Sequence, residues 1–209
     1  MIRKLLVVAA AIAMPASVIA VSGGMAGASN PNGSPANATV ACKGLSGSLK
    51  FSPHLIAAGD GTTAIKTTVS ATLSKCTATG GVTVTGGKVS GVLTGAPGTA
   101  KKPSGTCLGL SGQGTENGTL TIKWSPSAAG TSKLVVKSDV GGTSGSHATF
   151  TIPGKTKSTA SGSFLGTDNG NKDKSVAETV ETTAQILTAC KAGINSLAIQ
   201  GAGTAVSLG

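Results

Sequence analysis

Thr63-Ala64-Ile65-Lys66-Thr67-Thr68-Val69-Ser70-Ala71-Thr72-Leu73-Ser74-Lys75 decides the fold class. Ile65, Thr67, Val69, Ala71 and Leu73 fall on one side of an extended chain, and Lys66, Thr68, Ser70, Thr72 and Ser74 on the other. A period of two marks a strand with one face on a core and the other in water, the habit of antiparallel sheets.

The same alternation spreads outward from this stretch. Leu45, Gly47 and Leu49 alternate with Ser46, Ser48 and Lys50. Val82-Thr83-Val84 and residues 89–93 flank Gly86-Gly87, which predicts a hairpin turn at the two glycines. Leu120, Ile122 and Trp124 alternate with Thr119, Thr121 and Lys123, so the single Trp is expected to face inward. Leu134 and Val136 alternate with Lys133, Val135 and Lys137, and Ala148, Phe150 and Ile152 with His147, Thr149 and Thr151. Residues 161–165, 194–200 and 204–208 predict three further strands.

One segment follows a different period. Val176, Val180, Ala184, Leu187 and Cys190 recur at helical spacing. Ser175-Val176-Ala177-Glu178 fits a capping box, Glu178 and Glu181 suit a helix N-terminus, Lys191 suits the C-terminus, and Gly193 suits the residue after it. The expectation is a mainly β protein: an antiparallel β-sandwich or partly closed β-barrel with one helix at about 175–191.

The N-terminus carries an address. Met1-Ile2-Arg3-Lys4 is basic, residues 5–21 are uncharged and apolar, and small residues follow to Ala26-Gly27-Ala28. This order predicts a signal peptide over 1–28, cut after Ala28 at an A-x-A site formed by Ala26 and Ala28. Residues 29–40 read as a flexible leader and 41–209 as a single β-rich domain. The first Cys, Cys42, lies too far downstream for a lipoprotein anchor, and no second long apolar run follows. The mature chain is therefore expected to be secreted or held in the cell envelope, without spanning a membrane.

Four cysteines, Cys42, Cys76, Cys107 and Cys190, in an exported chain predict two disulfides. Of the three pairings, Cys42–Cys76 is favoured because one begins a predicted strand and the other ends the next, and such ends are neighbours in an antiparallel pair. Cys107–Cys190 follows by elimination. The chain has no Tyr, one Trp and three Phe, so its core must rely on aliphatic residues, and cross-links would support it.

The segments Ala41-Cys42-Lys43-Gly44-Leu45-Ser46-Gly47, Leu73-Ser74-Lys75-Cys76-Thr77, Gly118-Thr119-Leu120-Thr121-Ile122-Lys123-Trp124-Ser125 and Thr188-Ala189-Cys190-Lys191-Ala192-Gly193 follow the predicted signal. Together they resemble small exported actinobacterial-type proteins of unknown function. That resemblance covers most of 41–209 and implies a fold and an address, but no activity.

Recognisable chemistry is missing from the sequence. The two histidines, His54 and His147, have no nucleophile elbow near them. The seven acids, Asp60, Glu116, Asp139, Asp168, Asp173, Glu178 and Glu181, form no evident catalytic pair. No C-x-x-C or H-x-x-x-H spacing offers a zinc site. Asp168-Asn169-Gly170-Asn171-Lys172-Asp173 supplies oxygens, yet the twelfth position is Thr179, not an acid as a calcium loop needs. No cofactor is expected and the protein is read as non-enzymatic; the alternative is a secreted hydrolase whose site assembles only in three dimensions.

The paucity of aromatics also removes the stacking platforms used for nucleic acids and the girdles of outer-membrane barrels. What remains is charge. The net charge is +10, or +8 once Arg3 and Lys4 leave with the signal. Lys123, Lys133 and Lys137 fall opposite the apolar positions of their strands. One reading is a basic sheet face that contacts anionic envelope polymer or lipid headgroups; the other is scattered solubilising charge.

Overall fold

The computed structural model describes residues 38–59, 61–100, 104–107, 110, 116–137, 140–153, 158–164 and 174–209. The predicted signal with Ala26 and Ala28, most of the leader and the loop at 168–173 lie outside these residues. Among the described residues there are ten strands: β1 (Val40–Leu55), β2 (Lys66–Ala78), β3 (Gly86–Thr94), β4 (Asn117–Ser125), β5 (Thr131–Val136), β6 (Val140–Ser144), β7 (His147–Pro153), β8 (Ser158–Gly162), β9 (Lys174–Thr182) and β10 (Ile194–Leu208). Among the described residues one α-helix, α1 (Thr183–Ala189), joins β9 to β10. All strands belong to one antiparallel sheet in the order β6-β7-β9-β10-β1-β2-β3-β4-β5-β8.

That order forces the sheet to curl. β5 and β6 stand eight places apart, about 38 Å across a flat sheet at the usual strand spacing. Only residues 137–139 connect them, a reach of about 14 Å. β7 and β8 are also eight places apart, and only residues 154–157 connect them, about 18 Å at full stretch. Two short crossings therefore stitch the edges of the sheet towards each other. The result is a half-barrel, which decides between the two expected architectures in favour of the partly closed barrel.

Missing side chains on the inner face let the strands bend. A Cβ on Gly91 would lie 2.9 Å from the Cα of Leu120, its cross-strand neighbour, and one on Gly47 would lie 2.5 Å from the Cα of Ala71. Neither position can carry a side chain without moving backbone, and glycine at such points allows the tight bending of a barrel wall.

The long alternating strand is confirmed: β2 buries Thr67, Val69, Ala71 and Leu73 and exposes Lys66, Thr68, Ser70 and Thr72. Both disulfides form as expected. Cys42 faces Cys76 directly across the β1–β2 ladder, and Cys107 joins Cys190 at the end of α1. Such bridges fit an oxidising, extracytoplasmic compartment. Val40 opens β1 and Ala38 is already buried, so ordered packing begins before residue 41.

Three expectations change. Gly86 and Gly87 are inside β3, not at a turn; Gly86 faces Ser74, Gly87 faces Leu73 and Trp124, and a Cβ on Gly87 would meet the Trp124 ring at 3.1 Å. The reversal comes earlier, at Gly80 and Gly81, both with φ of 75°. The helix is shorter than expected, because Lys174–Thr182 is strand β9 between β7 and β10. Ladder bonds on both sides of these β-branched residues outweigh a helical spacing of apolar side chains. Val180 and Leu187, expected in the buried stripe, are exposed, and Ile186 is the buried helical residue. The capping box is Thr182 with Gln185, directly after Glu181, and not Ser175 with Glu178, which lie within β9. Finally, residues 194–208 form one irregular strand instead of two.

Candidate functional site

The inner face of the half-barrel does not pack shut. It surrounds a cavity of about 570 Å³, lined from eight strands: β1 to β5 on one side, β7, β9 and β10 on the other. Cross-strand rows build the wall. Leu49, Val69, Leu120 and Leu134 share one row, with Gly91 between Val69 and Leu120 leaving a hollow. Phe150 beside Ala177, and Ile152 beside Ser175, face them from β7 and β9. A volume of this size is typical of sites that enclose a small apolar molecule.

The two ends of the cavity differ. Beyond Ile122 lies Trp124, whose ring packs edge-on to Phe164 at 5.3 Å between centroids. Trp124 Nε1–H donates to Ser132 Oγ at 2.9 Å, and that hydroxyl donates to the Ser163 carbonyl at 2.6 Å. All four residues are buried, so this end is packed shut, although the Ser163 hydroxyl has no hydrogen-bond partner among the described residues. Trp124 does face inward beside Leu120 and Ile122, but as part of the plug and not of the cavity wall.

The other end is polar. Here β2 begins, β3 ends and β4 begins, and the β3–β4 connection crosses close by. Ile56 pairs with Thr106, its N–H donating to the Gly105 carbonyl, and the Ser104 N–H donates to the Gly61 carbonyl. The Cys107–Cys190 bridge ties this crossing segment to α1. Thr99, Ser104 and Thr106 line the cavity from it. Beneath them, buried Thr67 donates its hydroxyl proton to Glu116 Oε1 at 2.5 Å. This is the short distance of a charge-assisted O–H···O⁻ bond. Among the described residues Glu116 is the only charged side chain on the cavity wall.

The residues singled out from sequence are placed as follows. Lys123 and Lys133 are exposed on the convex side of β4 and β5, and Lys137 is exposed just past the end of β5. Lys50, Lys66 and Lys88 join them on β1 to β3. Lys88 stands directly opposite Lys123. The described acids lie elsewhere: Glu116 inside, and Glu178 and Glu181 on β9. Glu178 accepts from Gln200 Nε2 at 3.0 Å and caps nothing, and Glu181 Oε2 is buried without a hydrogen-bond partner.

The histidines are apart from the cavity. The ring of His54 lies over Gly193, where a Cβ would come within 2.6 Å of it. His147 is half-buried at the start of β7 opposite Thr182, and its Nδ1 has no hydrogen-bond partner. Among the described residues no grouping of His, Cys, Asp and Glu could hold a metal ion.

Sequence reasoning missed the cavity, Thr67 and Glu116 as a unit. Two signals were present: Thr67 is the one hydroxyl on the inner face of β2, and Glu116 is the single acid between Asp60 and Asp139. No protein-family model, curated protein or solved structure gives a significant match to the chain.

Proposed function

We propose that this protein is a non-enzymatic, extracytoplasmic binding module that shelters an apolar molecule inside its half-barrel. The observation that carries this reading is the unfilled, aliphatic inner face. A chain that merely needed a stable core would gain by closing it, because empty apolar volume forfeits packing energy. Titration with a neutral fluorescent hydrophobe, N-phenylnaphthylamine, tests it. Saturable binding at one site per chain is expected in the wild type, and its loss in Val69→Trp and in Ala177→Phe, each of which fills the cavity. Absence of binding in the wild type, or undiminished binding in both folded variants, would remove the proposal.

A second reading is favoured by a separate observation. The convex face of β1 to β5 carries Lys50, Lys66, Lys88, Lys123 and Lys133 among Ser and Thr, with no described acid between them. Two lysines placed directly opposite each other repel. An anionic envelope polymer or a layer of lipid headgroups would relieve that repulsion. Cosedimentation with anionic vesicles at low salt, reversed by added salt, is the expected result. No sedimentation at low salt would dismiss this reading and leave the cavity proposal untouched.

A further inference from the structure

We infer that the convex face of β3 to β5 docks on an anionic lipid bilayer, its lysines meeting the head groups and Val92 and Val135 seated among them. This rests on the anionic-surface reading proposed above and chooses the bilayer over a dissolved polymer.

Two exposed valines set this face apart. Among the described residues the exposed large aliphatic side chains are Val92, Val135, Val180 and Leu187. Exposure of this kind at a single residue is ordinary. Val92 and Val135, however, share one cross-strand row: Lys50 faces Thr68, Thr68 faces Val92, Val92 faces Thr119, and Thr119 faces Val135. One strand separates the two valines, which places them about 10 Å apart. Thr suits a strand as well as Val does, so strand formation asks for no methyl group at 92 and 135. A methyl in place of a hydroxyl gains nothing in water and gains against an apolar layer.

Lysines frame the valines. Lys88 and Lys123 face each other, about 14 Å along β3 from Val92, and Lys133 lies on the same side of β5 as Val135, two residues away. All three lysines are exposed, and Ser90, Thr119, Thr121 and Thr131 fill the outward positions between them. No described acid stands on this face. Glu178 and Glu181 are on β9, five places from β4 in the sheet, so the asymmetry of charge turns β3 to β5 towards an anionic surface. The other exposed aliphatics lack this setting: Val180 falls between Glu178 and Glu181, and Leu187 is on α1.

The curl of the sheet gives the patch its access. A convex wall touches a plane along a narrow strip, and three adjacent strands make a strip about 10 Å wide. β3 to β5 supply one, with the valines towards one end and the Lys88–Lys123 pair towards the other.

Charge alone does not separate a bilayer from a dissolved polyanion, but the valines do. A polyanion meets lysines and hydroxyls and gains nothing from a methyl group, whereas the interfacial layer of a bilayer accepts both charge and apolar side chains. Each lysine near an anionic membrane surface contributes about fivefold in partitioning, and covering two half-exposed valines contributes about tenfold.

The test is cosedimentation at low salt of the oxidised protein, residues 1–28 removed, with vesicles of phosphatidylcholine and phosphatidylglycerol in equal amounts. Binding of long-chain polyphosphate is measured beside it, and thermal unfolding shows that each variant is folded. Val92→Thr/Val135→Thr should weaken vesicle binding about tenfold and leave polyphosphate binding unchanged. Lys88→Gln/Lys123→Gln should weaken vesicle binding about twentyfold, and Val180→Thr/Leu187→Gln should not alter it. In Val135→Trp, a blue-shifted emission component should appear on vesicles and not on polyphosphate. Vesicle binding of the folded double valine variant within about twofold of the wild type, or unshifted emission in Val135→Trp, would assign the face to a polymer by charge alone. Either result would overturn the bilayer assignment while leaving the anionic-surface reading intact. No sedimentation of the wild type at low salt would overturn both.

Discussion

Removing the Cys107–Cys190 bridge, as the double variant Cys107→Ala/Cys190→Ala, should be the most damaging small change to this protein. The bridge closes a loop of 83 residues in sequence, against 34 for Cys42–Cys76. On the chain-entropy relation these lengths correspond to about 4.6 and about 3.8 kcal/mol of lost denatured-state freedom. The native surroundings widen the gap. Cys42 and Cys76 sit opposite each other in a ladder that runs unbroken through most of β1 and β2, so the strands stay paired without the bond. Cys107 belongs to a segment outside the ladders, which the Ile56–Thr106 bridge and loop hydrogen bonds at Ser104 and Gly105 join to its neighbours. A loss of about 4.6 kcal/mol is a third or more of the stability of an ordinary domain. Urea unfolding, followed through the fluorescence of the single Trp, should show the midpoint falling sharply and the slope rising, because the denatured chain without the bridge exposes more surface. Amide exchange in residues 104–107 and 183–190 should accelerate beyond the global change. A loss below about 1 kcal/mol with an unchanged slope would refute the reasoning, because it would mean that the crossing segment holds its place without the bridge.

Other consequences follow from single contacts. Ser132→Ala leaves Trp124 Nε1–H without its acceptor and the Ser163 carbonyl without its donor; a loss of about 2–4 kcal/mol is expected in equilibrium unfolding, with an altered near-ultraviolet Trp signal. Gly91→Ala forces a Cβ against the backbone of β4 and should cost about 1–3 kcal/mol, whereas Ser90→Ala on the convex side should be nearly neutral. Thr182→Ala removes the helix cap and should cost about 1 kcal/mol, seen as faster exchange in α1 before any global effect. Lys88→Glu converts a facing like-charge pair into an opposite pair with Lys123; a gain of about 0.5 kcal/mol that fades with added salt is expected in thermal unfolding, together with weaker binding to anionic vesicles.

The strands were legible because most are half-buried, and a half-buried strand writes its two environments into alternate residues. Val69 and Ser70, or Leu134 and Lys133, carry that information with no knowledge of their neighbours. The Cys42–Cys76 pairing was legible for the same local reason. Gly86-Gly87 misled because glycine serves two purposes: it permits positive φ at turns, as Gly80 and Gly81 do, and it makes room beneath a large ring, as Gly87 does under Trp124. Only the partner strand distinguishes them. β9 misled because Val176 and Val180 sit four apart, and no residue within the segment announces that β7 and β10 flank it. The cavity was illegible altogether. It depends on curvature, which arises from the order of ten strands and two short crossings between distant edges, and Glu116 gains its meaning only from the wall around it.

The account stands on apolar uptake inside the half-barrel, and methyl NMR of the oxidised protein tests that most directly. On addition of a neutral hydrophobe, the methyl resonances of Val69, Leu93, Leu120, Leu134 and Ile199, all on the cavity wall, should shift in concert and saturate at one molecule per chain. Those of Leu197 and Leu208, buried outside the wall, should move little. Shifts confined to the exposed Val92, Val135, Val180 and Leu187 would instead place the hydrophobe on the outer surface and contradict the account.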